Sequence, residues 1–176
     1  MSEKSETIYT IGYSTRSLPD FIEILKSYSI ALLCDIRSIP KSRHNPQFNG
    51  NDLMEGSEKE GIRYVHLEGL GGFRRADKNS SVNSAWTNSS FRGFADYMQS
   101  EEFEVSLEEL IALGEKEKAA IMCAEGNPFR CHRMLIADAL TIRKIRVLHI
   151  SSRTYSREHV VTGFAKVVDG KVIYPA

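Results

Sequence analysis

The 176-residue chain has no uninterrupted apolar span of the roughly 18 residues that a transmembrane helix needs. It also lacks an excess of either charge, because 23 Lys and Arg balance 23 Asp and Glu. The first absence predicts no membrane partner. The second argues against attachment to nucleic acid through bulk charge, which calls for a surplus of basic residues. A local basic pocket stays compatible with neutrality. Cysteine is scarce and odd in number: Cys34, Cys123 and Cys131 show no disulfide-framework spacing. The opening "MSEKSETIYTIGYS" has neither an apolar h-region nor a cleavage site. Free thiols without such a segment predict a reducing, cytoplasmic setting. There is no internal repeat or low-complexity tract, and the length suits one core, so residues 1–176 are read as a single α/β domain.

What is present alternates. Short apolar runs at Ile8–Ile11, Ala31–Ile36, Tyr64–Leu67, Ala119–Cys123 and Arg146–Ile150 predict buried strands. Between them lie helical patterns. "SLPDFIEILKSY" offers Ser17 as N-cap, Pro19 in the first turn and Asp20 at the capping-box position. Asn51–Gly61, "SSFRGFADYMQS" and "SLEELIALGEKE" follow, the last with a capping box from Ser106 to Glu109. "CHRMLIADALTIRK" carries a broad apolar stripe. Strand–helix alternation predicts an α/β three-layer sandwich with a mostly parallel central sheet. The tail, residues 151–176, departs from this pattern. Two β-rich runs around Asp169-Gly170 predict an antiparallel hairpin there. Residues 68–90 show little periodicity and are long for a passive connection, which predicts a functional loop or lid.

In open parallel sheets ligands bind at the carboxyl ends of the strands. The segments following the predicted strands are "GYSTRS", "DIRSIPKSRHNPQFN", "HLEGLGGFRR" and "AEGNPFRCHR". They gather arginines, histidines and glycines, whereas the opposite connections carry generic Lys and Glu. This asymmetry predicts an anion pocket of phosphate or carboxylate type on one rim. Candidate binding residues are Ser14, Arg16, Arg37, Arg43, Asn45, His66, Gly71, Gly72 and Arg133, with backbone N–H groups near Gly126 and Cys131. Candidate catalytic groups are Glu125 and His132 for acid–base work, Cys131 as a thiolate at a helix start, and Asp35 to orient an arginine or histidine.

Each assignment has a plainer counterpart. Cysteine phosphatases place an arginine six positions after the strand-ending cysteine, whereas here Arg130 follows Cys123 by seven. Cys34 and Cys123 read equally as small core residues, and Asp35 with Arg37 as a structural ion pair. Trp86 reads as an anchor of the long loop. Cys123, Cys131 and His132, with or without His66, lack the close cysteine pair of structural zinc sites. Asp35, Glu125, His66 and His132 have residue types compatible with a divalent metal, but their spacing does not call for one. No cofactor is identified. His149 and His159 have no informative surroundings.

"TIGYSTRSLPDFIEIL", "LLCDIRSIPKSRHNPQFN", "GIRYVHLEGLGG" and "CAEGNPFRCHR" occur in this order over roughly residues 7–150. In these motifs the chain resembles the bacterial and archaeal family called domain of unknown function 488. The resemblance implies motif positions at Gly12, Ser14, Asp35, Arg37, Arg43, Asn45, Pro46, Phe48, Leu70, Gly71, Gly72, Cys123, Glu125, Cys131, His132 and Arg133. A histidine common at the second position of the family's first motif is Tyr13 here, so no imidazole role transfers. The resemblance implies a fold and a site but no reaction. The functional expectation is therefore an enzyme acting on a nucleotide, nucleic-acid or other phosphorylated substrate. The rival expectations are a binding module for nucleotides or nucleic acid, and thiol-dependent transferase or phosphatase-like chemistry at Cys131. The expected partner is an anionic small molecule or a nucleic acid.

Overall fold

A computed structural model describes residues 6–176. The apolar runs become five parallel strands, β1 (Thr7–Gly12), β2 (Leu32–Asp35), β3 (Arg63–His66), β4 (Ala119–Cys123) and β5 (Arg146–Ile150). A short antiparallel strand, β6 (Ser156–Glu158), pairs with β5 and closes the sheet in the order β3-β2-β4-β1-β5-β6. Nothing in the residues 156–158 alternates clearly enough to announce β6.

The chain steps from β1 through β2 to β3 toward one edge, then returns through β4 to β5 toward the other. Right-handed crossovers therefore place the two sets of helices on opposite faces. On one face lie α1 (Leu18–Ser27) and α2 (Gly50–Lys59), covering Tyr9, Ile11, Leu33, Ala120 and Met122. On the other lie α3 (Ser89–Tyr97), α4 (Glu101–Lys116) and α5 (Arg133–Thr141), covering Ile8, Cys34, Ile121 and Val147. Alternate residues of each strand thus enter opposite cores, and the sandwich has three layers. Among the described residues no helix is long and apolar enough to cross a membrane.

Local chemistry explains the helix limits. Ser17 Oγ caps α1 by accepting from the Asp20 N–H at 3.2 Å. The expected start of the fourth helix at Ser106 is replaced by a start at Glu101. Ser100 caps the Phe103 N–H there, and Glu101, Glu102 and Glu104 complement the positive end of the helix dipole. The Asp169-Gly170 turn, with both residues at positive φ, joins β7 (Lys166–Val168) to β8 (Lys171–Ile173) as a separate antiparallel hairpin. Val172 and Tyr174 carry that tail back into the core. Trp86 packs edge-on against Phe91, Phe164 and Tyr174, and the Tyr174 N–H donates to buried Asn83 Oδ1 at 2.9 Å. The middle of the 68–90 loop is tethered to the tail, while Gly72 to Arg75 and Ser90 reach the site described next.

Candidate active site

β1 and β4 are neighbours, yet the chain leaves β1 toward α1 on one face and β4 toward α5 on the other. Such divergence opens a crevice beyond the strand ends. Here it is a cavity of about 780 Å³, a size typical of small-molecule sites. Tyr13, the segment from Arg37 to Arg43, Gly72 to Arg75, and the loop from Cys123 to His132 contribute its walls. Arg37, Lys41, Arg43, Arg74, Arg75 and Arg130 face a single carboxylate, that of Glu125. In a protein of zero net charge, this concentration makes the cavity locally attractive to anions.

Arg37 is the most firmly held of these cations. Asp35, fully buried, accepts from Arg37 Nε at 2.9 Å and from Nη2 at 2.7 Å. The Tyr64 hydroxyl donates to the same carboxylate at 2.6 Å, and Nη2 also donates to the Phe48 carbonyl. Arg37 lies over the Tyr13 ring, and among the described residues its Nη1 has no hydrogen-bond partner. A buried guanidinium nitrogen left unpaired is a donor awaiting an acceptor.

The floor is built from sulfur. Cys123 ends β4 and Cys131 precedes α5, and their Sγ atoms stand 2.7 Å apart. His132 Nε2 lies 3.0 Å from both the Ile36 and Leu70 carbonyls. Carbonyls only accept, so Nε2 carries the proton, and Nδ1 faces Cys131 Sγ at 3.5 Å. That nitrogen can take the thiol proton and then donate it back to the thiolate. Arg133, only 1 % exposed, donates from Nε to Cys123 Sγ at 3.0 Å and from its backbone N–H to Cys131 Sγ at 3.4 Å. Its remaining donors reach Thr10 Oγ1 and the Glu125 and Gly126 carbonyls. Among the described residues no carboxylate pairs with Arg133. A buried guanidinium needs a negative partner, and the cysteine pair is the adjacent group able to supply one. Burial pushes the Cys131 thiol up, but hydrogen bonds from Cys123 and His132 and the charge of Arg133 outweigh it and hold the thiol well below its ordinary range. Burial and the neighbouring sulfur push Cys123 well above it. These opposite directions make Cys131 the more acidic thiol of the pair.

The family model described as "Domain of unknown function DUF488" matches residues 17–140. The chain belongs to the DUF488 family. No curated protein and no solved structure matches it significantly. The DUF488 match omits β1, its Gly12–Ser14 turn, and β5 with the tail. Gly12 nonetheless fixes the site, since a Cβ there would stand 1.8 Å from the Glu125 carbonyl oxygen and 2.9 Å from Arg133 Nη2.

Of the residues predicted for the DUF488 site, the structure brings Arg37, Arg43, Gly72, Glu125, Cys131 and His132 to the cavity wall. Asp35 stands behind Arg37 and His66 behind the Arg37 carbonyl, at 2.6 Å. Gly71 and Gly72 let the chain pass against Ser38 and the His132 ring, where a Cβ would come within 2.5 and 2.8 Å. Ser14, at positive φ, donates its backbone N–H to the Ala124 carbonyl, and Asn45 introduces the 3-10 turn Pro46–Phe48. Arg16 turns away to the Ser151 carbonyl at 2.7 Å. Arg133, expected to bind the anion, is withdrawn into the interior, and the Cys131 N–H is already spent on the Pro128 carbonyl. Lys41, Phe73, Arg74, Arg75 and Arg130 are added to the wall. The run "GGFRR" after a predicted strand was the signal for three of them. Among the described residues no three of His, Cys, Asp and Glu are arranged to hold a metal ion.

A buried polar chain continues behind Arg133. Thr10 Oγ1 meets His149 Nδ1 at 2.6 Å, His149 Nε2 meets His159 Nδ1 at 2.8 Å, and His159 Nε2 meets Asp138 Oδ1 at 2.7 Å. The Tyr174 hydroxyl closes the chain on Asp138 Oδ2 at 2.7 Å. One protonation pattern satisfies every member. Arg133 donates to Thr10, Thr10 to His149, His149 to His159 and His159 to the Asp138 carboxylate. His149 is then neutral. Burial, then the nearby His159, Arg133 and Arg157, lower His149 to about 3, which agrees with that pattern. Its free imidazole titrates near 6.5, so the folded state binds fewer protons than the unfolded one below that pH. His149 therefore withdraws stability as pH falls from about 6.5 toward 3, by up to about 1.4 kcal/mol per unit. Urea unfolding of the wild type and His149→Gln across this range should show a steeper loss in the wild type. Parallel curves would refute a neutral buried His149.

Proposed function

We propose that this DUF488 protein is an enzyme that binds a phosphate-type anionic substrate between its cationic walls and attacks it with the Cys131 thiolate. The observation that carries this reading is the fixed orientation of His132. With Nε2 committed to two carbonyls, its only free nitrogen faces Cys131 Sγ, which is the arrangement of an activated cysteine nucleophile. Arg37, held by Asp35 and lining the cavity, supplies a fixed positive charge for the anion. Glu125 lines the wall as an exposed carboxylate whose Oε1 accepts the Asn127 N–H at 3.1 Å. Acid–base chemistry led by Glu125 and His132 alone is less favoured, because the imidazole addresses sulfur. Phe73, 80 % exposed on the cavity wall, favours an anion with a planar ring, such as a nucleotide.

Alkylation by iodoacetamide tests the reading. Cys131 should be modified at pH values well below those needed by a free cysteine, and inorganic pyrophosphate should slow the reaction about tenfold or more at low salt, with less protection at high salt. Cys131→Ser should remove the reactive thiol. Modification that rises only in the ordinary thiol range, or that pyrophosphate leaves unchanged, would sink the proposal.

A further inference from the structure

The second sulfur has no task in simple nucleophilic transfer. Cys123 lies 4 % exposed on the same floor, 2.7 Å from Cys131, and Arg133 Nε points at it. The separation is closer than unbonded thiols normally stand and longer than the roughly 2.05 Å of a disulfide bond. A cysteine so placed can displace a group from Cys131 by attacking its Sγ, as it does when that group is held through a sulfur–sulfur bond. A phosphoryl group on Cys131 would present phosphorus, which Cys123 has no geometric reason to approach.

We infer that Cys123 and Cys131 form a dithiol couple that reduces a low-molecular-weight disulfide whose thiol carries phosphate groups. The inference rests on the thiolate reading of Cys131 and names its substrate class. In the first step the Cys131 thiolate attacks one sulfur of the substrate R–S–S–R. A Cys131–S–S–R bond forms, the substrate bond breaks, and R–S⁻ leaves. Cys123 then gives its proton to the departing thiolate. Its own thiolate, met by Arg133 Nε, attacks Cys131 Sγ and expels the second R–S⁻. Two electrons pass from the protein to the substrate. The products are the Cys123–Cys131 disulfide, one R–SH and one R–S⁻, and external thiol returns the protein to its dithiol form.

The surroundings fit this substrate class. The cationic walls suit phosphates, and exposed Phe73 offers a face to a base. The low thiol pKa of the attacking residue and the raised one of its partner match the roles of attacker and resolver. The third thiol, Cys34, is buried in β2, where desolvation pushes it up to about 12, so it provides an internal unreactive control.

Reduced full-length protein is treated with coenzyme A disulfide or with the cationic disulfide cystamine, quenched in acid and weighed. Wild type treated with coenzyme A disulfide should lose two hydrogens without gaining mass, with peptides joined through Cys123 and Cys131. Cys123→Ser should instead retain one coenzyme A adduct on Cys131, and Cys131→Ser should take up none. Coenzyme A disulfide should react about tenfold or more faster than cystamine at low salt. A stable adduct on wild type, a bond involving Cys34, or equal rates with the two probes would overturn the inference. So would a wild type that keeps all three thiols while iodoacetamide still modifies Cys131 under pyrophosphate protection, and that result would leave the proposed anion site standing. Loss of that alkylation as well would remove both. The wild-type measurement decides even if Cys123→Ser fails to fold.

Discussion

Replacement of Arg133 by methionine is expected to destabilise the protein by about 3–5 kcal/mol, the range seen when one member of a buried charge pair is removed. The side chain is 1 % exposed and binds Cys123 Sγ, Thr10 Oγ1 and the carbonyls of Glu125 and Gly126. Methionine fills much of the volume but donates nothing. The two carbonyls and the threonine would lose their donor, and the Cys131 thiolate its counter-ion. Lysine should rescue only partly, because a single ammonium cannot span the sulfur, hydroxyl and carbonyl acceptors that the planar fork reaches together. Urea midpoints at constant slope give the stability change. The pH profile of Cys131 alkylation gives a second readout, and it should move upward in Arg133→Met. A stable variant with an unmoved profile would show that Arg133 is not the counter-ion of the cysteine pair.

Asp35→Ala should have a comparable effect, again about 3–5 kcal/mol. Asp35 is fully buried and holds two nitrogens of Arg37 and the Tyr64 hydroxyl. Its removal leaves a guanidinium that is only 7 % exposed without a carboxylate. Burial, together with the bond to Asp35, raises the Tyr64 phenol, so that hydroxyl remains a proton donor with nothing to accept it. Asp35→Asn should cost less, since an amide oxygen can still accept one bond. In both variants pyrophosphate should protect Cys131 less well, because Arg37 is no longer aimed. A variant that unfolds more easily yet retains full protection would separate the stabilising ion pair from the anion site.

The parallel core was legible because buried strands between capped helices leave periodic marks. The gathering of cationic residues on one rim was legible because polar residues recur after one end of the strands and not the other. Arg37 and Arg43 could be placed that way. Arg133 could not, since an arginine beside a helix start looks the same whether it faces a cavity or the core. Its inward turn depends on Gly12 and Thr10, more than 120 positions earlier in the chain. The pairing of Cys123 with Cys131 was equally hidden. Seven residues of loop say nothing about whether its ends meet until the 3-10 turn Pro128–Arg130 folds the loop back. His149 and His159 have unremarkable neighbours in sequence and acquire meaning only through each other and partners far along the chain, Thr10 and Asp138.

The chain from Arg133 to Tyr174 also sets an order of events during synthesis. A ribosome delivers Asp138 twenty-one residues before His159 and thirty-six before Tyr174. Until those residues emerge, a carboxylate destined for the interior has no imidazole or phenol to receive it, and His149 has no acceptor for its Nε2 proton. The polar network behind the two cysteines therefore stays incomplete until the tail has emerged. The two cysteines are thus made, after most of the cationic wall, before the network that holds Arg133 can be completed.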